Sequence, residues 1–155
     1  MVTGPEMSIA ASDLCFGCGK RNPCGLKLEF NWDGKVATSS FTPTELHQGW
    51  KGIIHGGILS SLLDEAMGYV ACFEKVGGVT AAMEVRFKRP VSIGEPLAIT
   101  AWVSNKARRF ADTEASLTLK DGTVVATAKA KQYISSEVII PDDKWGQPAG
   151  DAPSA

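Results

Sequence analysis

The stretch His55-Gly56-Gly57-Ile58-Leu59-Ser60-Ser61-Leu62-Leu63-Asp64-Glu65-Ala66-Met67-Gly68 decides how this chain folds. Apolar residues recur at Ile58, Leu59, Leu62, Leu63, Ala66, Met67 and Val70, the spacing of an amphipathic helix with a wide buried stripe. The pattern predicts a helix from about Gly56 to Phe73, stopped before Gly77-Gly78. Two glycines at its start let a backbone or a ligand approach closely and leave the first amides bare. Asp64 lies mid-helix beside Leu62, Leu63 and Met67, an odd place for a charge. Its neighbours three and four positions away are Ser60, Ser61, Met67 and Gly68, mostly small, which leaves room to reach the carboxylate.

Two readings of this stretch stand side by side. One is a core helix with a solvent-facing Asp-Glu pair. The other is an acid or base on a buried helix whose glycine N-terminus holds an anion or oxyanion. Geometry constrains the second. Gly56 and Asp64 are eight residues apart, about 12 Å along the helix axis, so one substrate carbonyl cannot touch both in one chain. If both act on it, they come from two chains, which predicts a dimer with composite sites.

The flanks read as strands. Leu26, Leu28, Phe30 and Trp32 alternate with polar residues, Asp33-Gly34 turns, and Lys35 to Phe41 alternates again, which predicts a hairpin. Thr42 to Ile54 carries Pro43, Gly49 and Gly52 and reads as a loop bringing His47, Gln48, Trp50 and His55 to the helix start. After the helix come four alternating runs. They are Ala81 to Phe87, Leu97 to Val103, Thr113 to Leu119 and Val124 to Ala130, separated by Gly94-Glu95-Pro96, Lys106 to Arg109 and Asp121-Gly122. Strands with one apolar face and a single helix are satisfied when the sheet wraps round the helix. Residues 1–13 are expected to be a mobile lead-in, 14–140 one domain, and 141–155 a loose tail.

The chain has 155 residues and a formal net charge of −1, so one domain with a substantial core fits, and no nucleic-acid or membrane field is implied. No apolar run approaches the ~20 residues needed to span a bilayer. Met1 to Ser12 does not read as a secretory signal, and a cytoplasmic location is expected. Cys15, Cys18 and Cys24 form a Cys-x2-Cys-x5-Cys cluster, half of a zinc knuckle. The second ligand pair is missing, and a fourth ligand would have to be His47 or a partner-chain group. The cluster reads as a tight glycine-rich turn packing the N-terminus onto the sheet, with no metal and no cofactor expected. Cys72 reads as a buried thiol on the helix.

His-Gly-Gly followed seven residues later by Asp-Glu-Ala, on a helix flanked by strands, resembles the hotdog-fold thioesterases of the phenylacetate-pathway and 4-hydroxybenzoyl-CoA type. The likeness extends over Cys15-Phe16-Gly17-Cys18-Gly19, Asn22-Pro23-Cys24-Gly25-Leu26, His47-Gln48-Gly49-Trp50 and Glu84-Val85-Arg86-Phe87-Lys88-Arg89-Pro90, and so spans about residues 15 to 134. The resemblance implies an α+β hotdog fold, an antiparallel sheet wrapped around one long central helix. It implies hydrolysis of an acyl-CoA thioester by a homo-oligomer, a dimer at least, with tetramers common in the family.

It also implies roles. Asp64 is the general base or nucleophile, and the Gly56 amide of the partner chain is the oxyanion donor, with Gly57 beside the bound substrate. His55 is read as positional, Gln48 as holding the water or the carbonyl, and Thr80 as a hydroxyl assisting the water. Coenzyme A phosphates would meet exposed cations, among Lys88, Arg89, Lys106, Arg108 and Arg109, with Arg89 and Arg108 favoured. Glu65, about 100° round the helix from Asp64, is read as structural or interfacial. Ser60 and Ser61 lack a histidine at helical spacing, which argues against a serine hydrolase. The rival readings are another acyl-thioester chemistry (hydration or isomerisation) on the same fold, a non-catalytic acyl-CoA-binding module, and a zinc-dependent interaction protein.

Overall fold

The helix α1 spans Gly56–Phe73, the predicted range. In this computed structural model, which describes residues 8–135 and 137–139, it lies across the inner face of a curved sheet. Its stripe of Leu59, Leu62, Leu63, Ala66, Met67 and Val70 is buried. The last turn closes through Glu74 N–H on the Val70 carbonyl, and Lys75 then reverses the chain with φ of 60°. Truncating Leu62, which is wholly buried, would cost about 2–5 kcal/mol by leaving a cavity.

The sheet has six strands: β2 (Asn31–Trp32), β3 (Val36–Phe41), β4 (Gly78–Phe87), β5 (Leu97–Lys106), β6 (Phe110–Leu119) and β7 (Val124–Ile134). All neighbours are antiparallel, in the order β2-β3-β5-β6-β7-β4. Because side chains alternate across a strand, Ala111, Thr113, Ala115 and Leu117 of β6 face the helix. Asp112 and Glu114, between them, are on the outer face and bond Lys131 and Lys129 of β7. The four predicted strands after the helix are β4 to β7.

Two findings differ from the sequence reading. Leu26, Leu28 and Phe30 are buried as their alternation suggests, yet they are not in a strand, and only Asn31–Trp32 pairs with β3. Leu26 and Leu28 donate instead to the carbonyls of Phe16 and Gly17, so the segment is laced to the cysteine turn. Its rings stack on the helix: Phe30 on Tyr69 at 4.3 Å and Trp32 on Phe73 at 5.3 Å between centroids. Secondly, β1 (Ser8–Ala10), inside the expected lead-in, pairs in parallel with β8 (Glu137–Ile139). Three residues are too few to carry a periodic signal. The tail from 141 lies outside the described residues.

The edge strand β4 is the unusual one. It pairs with β7 on one side and, among the described residues, with nothing on the other. Met83, Val85 and Phe87 stand in register with inward-facing residues of β7, yet Met83 is 37% and Phe87 54% exposed. A ten-residue edge with bare amides and carbonyls and an exposed apolar row is a template for another strand.

Candidate active site

Asp64 is half-buried on α1, and β4 brings it a partner. Thr80 Oγ1 donates to Asp64 Oδ1 at 2.7 Å, at the end of β4 next to a bulge between Thr80 and Ala82. Behind Thr80 stands Gln132 of β7, its register partner, 1% exposed, with Oε1 3.3 Å from the same hydroxyl. A hydroxyl has one proton, and the nearer, charged acceptor takes it. Gln132 Nε2 is buried without a partner among the described residues. Turning the amide over lets the NH2 donate to Thr80 and puts Oε1 in the partnerless position instead, since amide oxygen and nitrogen are interchangeable in shape. The result is a chain of donors, Gln132 to Thr80 to Asp64. Gln132 was not singled out from sequence. The inward series Ala126, Ala128, Ala130 continued two residues further reaches it.

The glycine start is organised by His55. This residue is the N-cap, and its Nδ1 accepts from Gly57 N–H at 2.8 Å, which fixes the ring tautomer with the proton on Nε2. Gly57 N–H is therefore occupied by the cap. Gly56 N–H has no partner among the described residues, and Phe87 lies beside it, 3.6 Å from where a Cβ on Gly56 would fall. Ser60 and Ser61 donate back to the carbonyls of Gly56 and Gly57, a local use that fits their lack of a histidine partner. Gly68, one turn beyond Asp64, faces open space.

The remaining candidates are spread out. Gln48 is exposed, and its Oε1 accepts from Gly52 N–H at 3.0 Å, closing the loop that leads to His55. His47 caps a 3₁₀ turn, Glu45–His47, with Nδ1 accepting from Thr44 N–H. Lys88 and Arg89 are exposed just past Phe87, at the Gly56 end. Arg108 and Arg109 are exposed in the β5–β6 turn, and the next residue, Phe110, shares a cross-sheet row with Tyr133 and Val79, at the Thr80 end. Lys106 is ion-paired with Glu74. Thus Asp64 and Thr80 sit with Arg108 and Arg109 at one end of β4, and Gly56 sits with Lys88 and Arg89 at the other. One chain does not bring the two halves together.

A helix laid in an antiparallel six-stranded sheet can be compared with known proteins. The fold is a hotdog fold. Residues 51–126 match the profile of the family described as the Thioesterase superfamily. Human acyl-coenzyme A thioesterase 13 is 27% identical over 95 residues, which cover 59% of this chain and 68% of that protein. The PaaI protein of E. coli, from the phenylacetic acid degradation operon, is 25% identical, with a TM-score of 0.66 over 70% of this chain and 83% of that one. A hypothetical thioesterase from Streptococcus pneumoniae, solved with coenzyme A, shares the hotdog fold at 18% identity and a TM-score of 0.68, covering 72% of this chain and 88% of that one. Among the described residues no helix is long and apolar enough to cross a membrane.

Proposed function

We propose that this chain hydrolyses acyl-coenzyme A thioesters at a site shared by two subunits, with Asp64 of one and the Gly56 amide of the other acting on the same carbonyl. The acyl-coenzyme A thioesterase class rests on the matched domain and on the curated relatives. The observation that carries the shared site is the division of β4. Thr80 and Asp64 lie at one end of an unpaired edge, and Phe87 and Gly56 at the other. Pairing two copies of β4 antiparallel about a two-fold near Met83 and Glu84 sets Thr80 of each chain opposite Phe87 of its partner. Asp64 then approaches the partner's Gly56, and Arg108 and Arg109 approach the partner's Lys88 and Arg89. The same pairing covers the exposed apolar row and satisfies the bare edge.

Asp64 acts as base or nucleophile, and Thr80 holds the carboxylate and can guide a water. Gly56 N–H, at the positive end of α1, is aimed at the charge that develops on the thioester oxygen. Gln48 lines the entrance, and His55 holds the helix start. The cation pairs from the two chains suit the phosphates of coenzyme A. Four free thiols agree with a reducing, cytoplasmic setting. The test is release of free thiol from short, medium, long and aryl acyl-coenzyme A substrates, wild type against Asp64→Ala. A loss of ~10²-fold or more in kcat with the oligomer intact supports the reading. Binding without turnover by both proteins would replace it with a binding module.

A further inference from the structure

The sequence offers the cysteine turn three thiols and no fourth ligand, and the fold brings a carboxylate to it from 50 residues away. Glu65 sends its carboxylate into the turn. Cys15 Sγ lies 3.6 Å from Glu65 Oε1 and 3.9 Å from Oε2. The ligand atoms of Cys15, Cys18 and Glu65 all lie within 4.8 Å of one another, and each residue is half-buried. Around a tetrahedral zinc ion, with Zn–S of ~2.3 Å and Zn–O of ~2.1 Å, neighbouring ligand atoms stand about 3.6–3.8 Å apart. The separation between Cys15 and Glu65 is already that of a shared ion.

The turn is built to hold this arrangement. A Cβ on Gly17 would fall 2.3 Å from Glu65 Cδ, and one on Gly19 would fall 2.3 Å from the Asp13 carbonyl. Gly19 N–H closes the loop on the Cys15 carbonyl at 2.9 Å, which sets the two sulfurs on one side. Tyr69, one helical turn after Glu65, hydrogen-bonds Cys18. His47, the ligand considered from sequence, has its Nδ1 committed to Thr44 and is not in this group.

We propose that Cys15, Cys18 and Glu65 form a zinc site with three protein ligands and a water in the fourth position. Binding places two thiolates and one carboxylate on the ion and releases both thiol protons to solvent, so affinity falls as pH falls. The ion would rivet the N-terminal turn to α1 one residue from Asp64, on a different face of the helix. It stands apart from the thioesterase reading.

The test uses the full chain, reduced with a phosphine, stripped with chelator, re-equilibrated with Zn²⁺ and desalted. The expected result is one zinc per chain, a raised thermal midpoint, and a thiolate-to-metal charge-transfer band when Co²⁺ replaces Zn²⁺. Cys18→Ser and Glu65→Gln lose the metal, and Cys24→Ser and Cys72→Ser keep it. The proposal is overturned by no uptake in the wild type, or by full uptake in both Cys18→Ser and Glu65→Gln. Loss of zinc in Cys24→Ser would overturn the ligand set. If Cys18→Ser does not fold, Glu65→Gln, which keeps the side chain's shape, decides alone.

Discussion

Asp64 and Glu65 are adjacent acids on one helix, and the fold gives them opposite surroundings. Asp64 faces the open edge at β4, with a hydroxyl on one oxygen and the empty space over Gly68 beside it. Glu65, about 100° round the axis, is roofed by a turn so close that Gly17 has no room for a Cβ. Residue type does not separate them. What separates them is which segment covers each, an unpartnered strand edge or a loop that comes from the other end of the domain.

The largest effects should fall on the Asp64 side. Asp64→Ala should lower kcat by ~10²-fold or more, while Glu65→Gln should leave it within a few-fold. Gly56→Pro replaces the amide hydrogen with the ring carbon Cδ and adds a Cβ at ordinary contact distance from Phe87, at the first helical position, where proline is well tolerated and where His55 already has the extended backbone proline requires. It should keep the fold and lower kcat by ~10²- to 10³-fold, the usual loss of one oxyanion donor. A Gly56→Pro protein with normal turnover would remove that amide from the mechanism.

Next comes the support of Asp64. Thr80→Ala should lower kcat by at least ~10-fold, and Gln132→Leu by about 3- to 10-fold, the worth of one hydrogen bond. Combined, the two should cost little more than Thr80→Ala alone, because Gln132 acts through Thr80. Additive losses would give Gln132 a separate role.

On the Glu65 side the effects should be on stability. Gly17→Ala drives a Cβ into the Glu65 carboxylate and should destabilise by about 1–3 kcal/mol with kcat unchanged, read from denaturant midpoints. The smallest effect is with pH. In the metal-free chain burial pushes the Cys72 thiol from 9.0 up to about 11, and pushes Cys18 and Tyr69 up as well. The unfolded chain releases these protons first, so stability should be full below about pH 9 and fall above it. Cys72→Ala should flatten part of that decline.

The helix was legible to the residue because its period and its flanking glycines are local signals. Asp64 stood out for the same reason, as a charge in an apolar stripe. The strands after the helix were legible from alternation, but alternation reports burial, and in Leu26 to Phe30 burial came without a ladder. Gln132 and the pairing of Glu65 with the cysteine turn were not legible. Each depends on segments about 50 residues apart in sequence meeting in space, and no period encodes that. The same alternation made β4 look like an ordinary strand, and only its place at the edge leaves its apolar row uncovered.

The most direct test of the shared site is subunit complementation. Asp64→Ala and Gly56→Pro proteins, each inactive alone, are mixed, and subunit exchange is confirmed by mass. If each site takes Asp64 from one chain and Gly56 from the other, a mixed dimer holds one intact site. Activity should then return to roughly a quarter of wild type, since half of the dimers are mixed and each has one working site of two. Confirmed mixed dimers with no recovered activity would contradict the account.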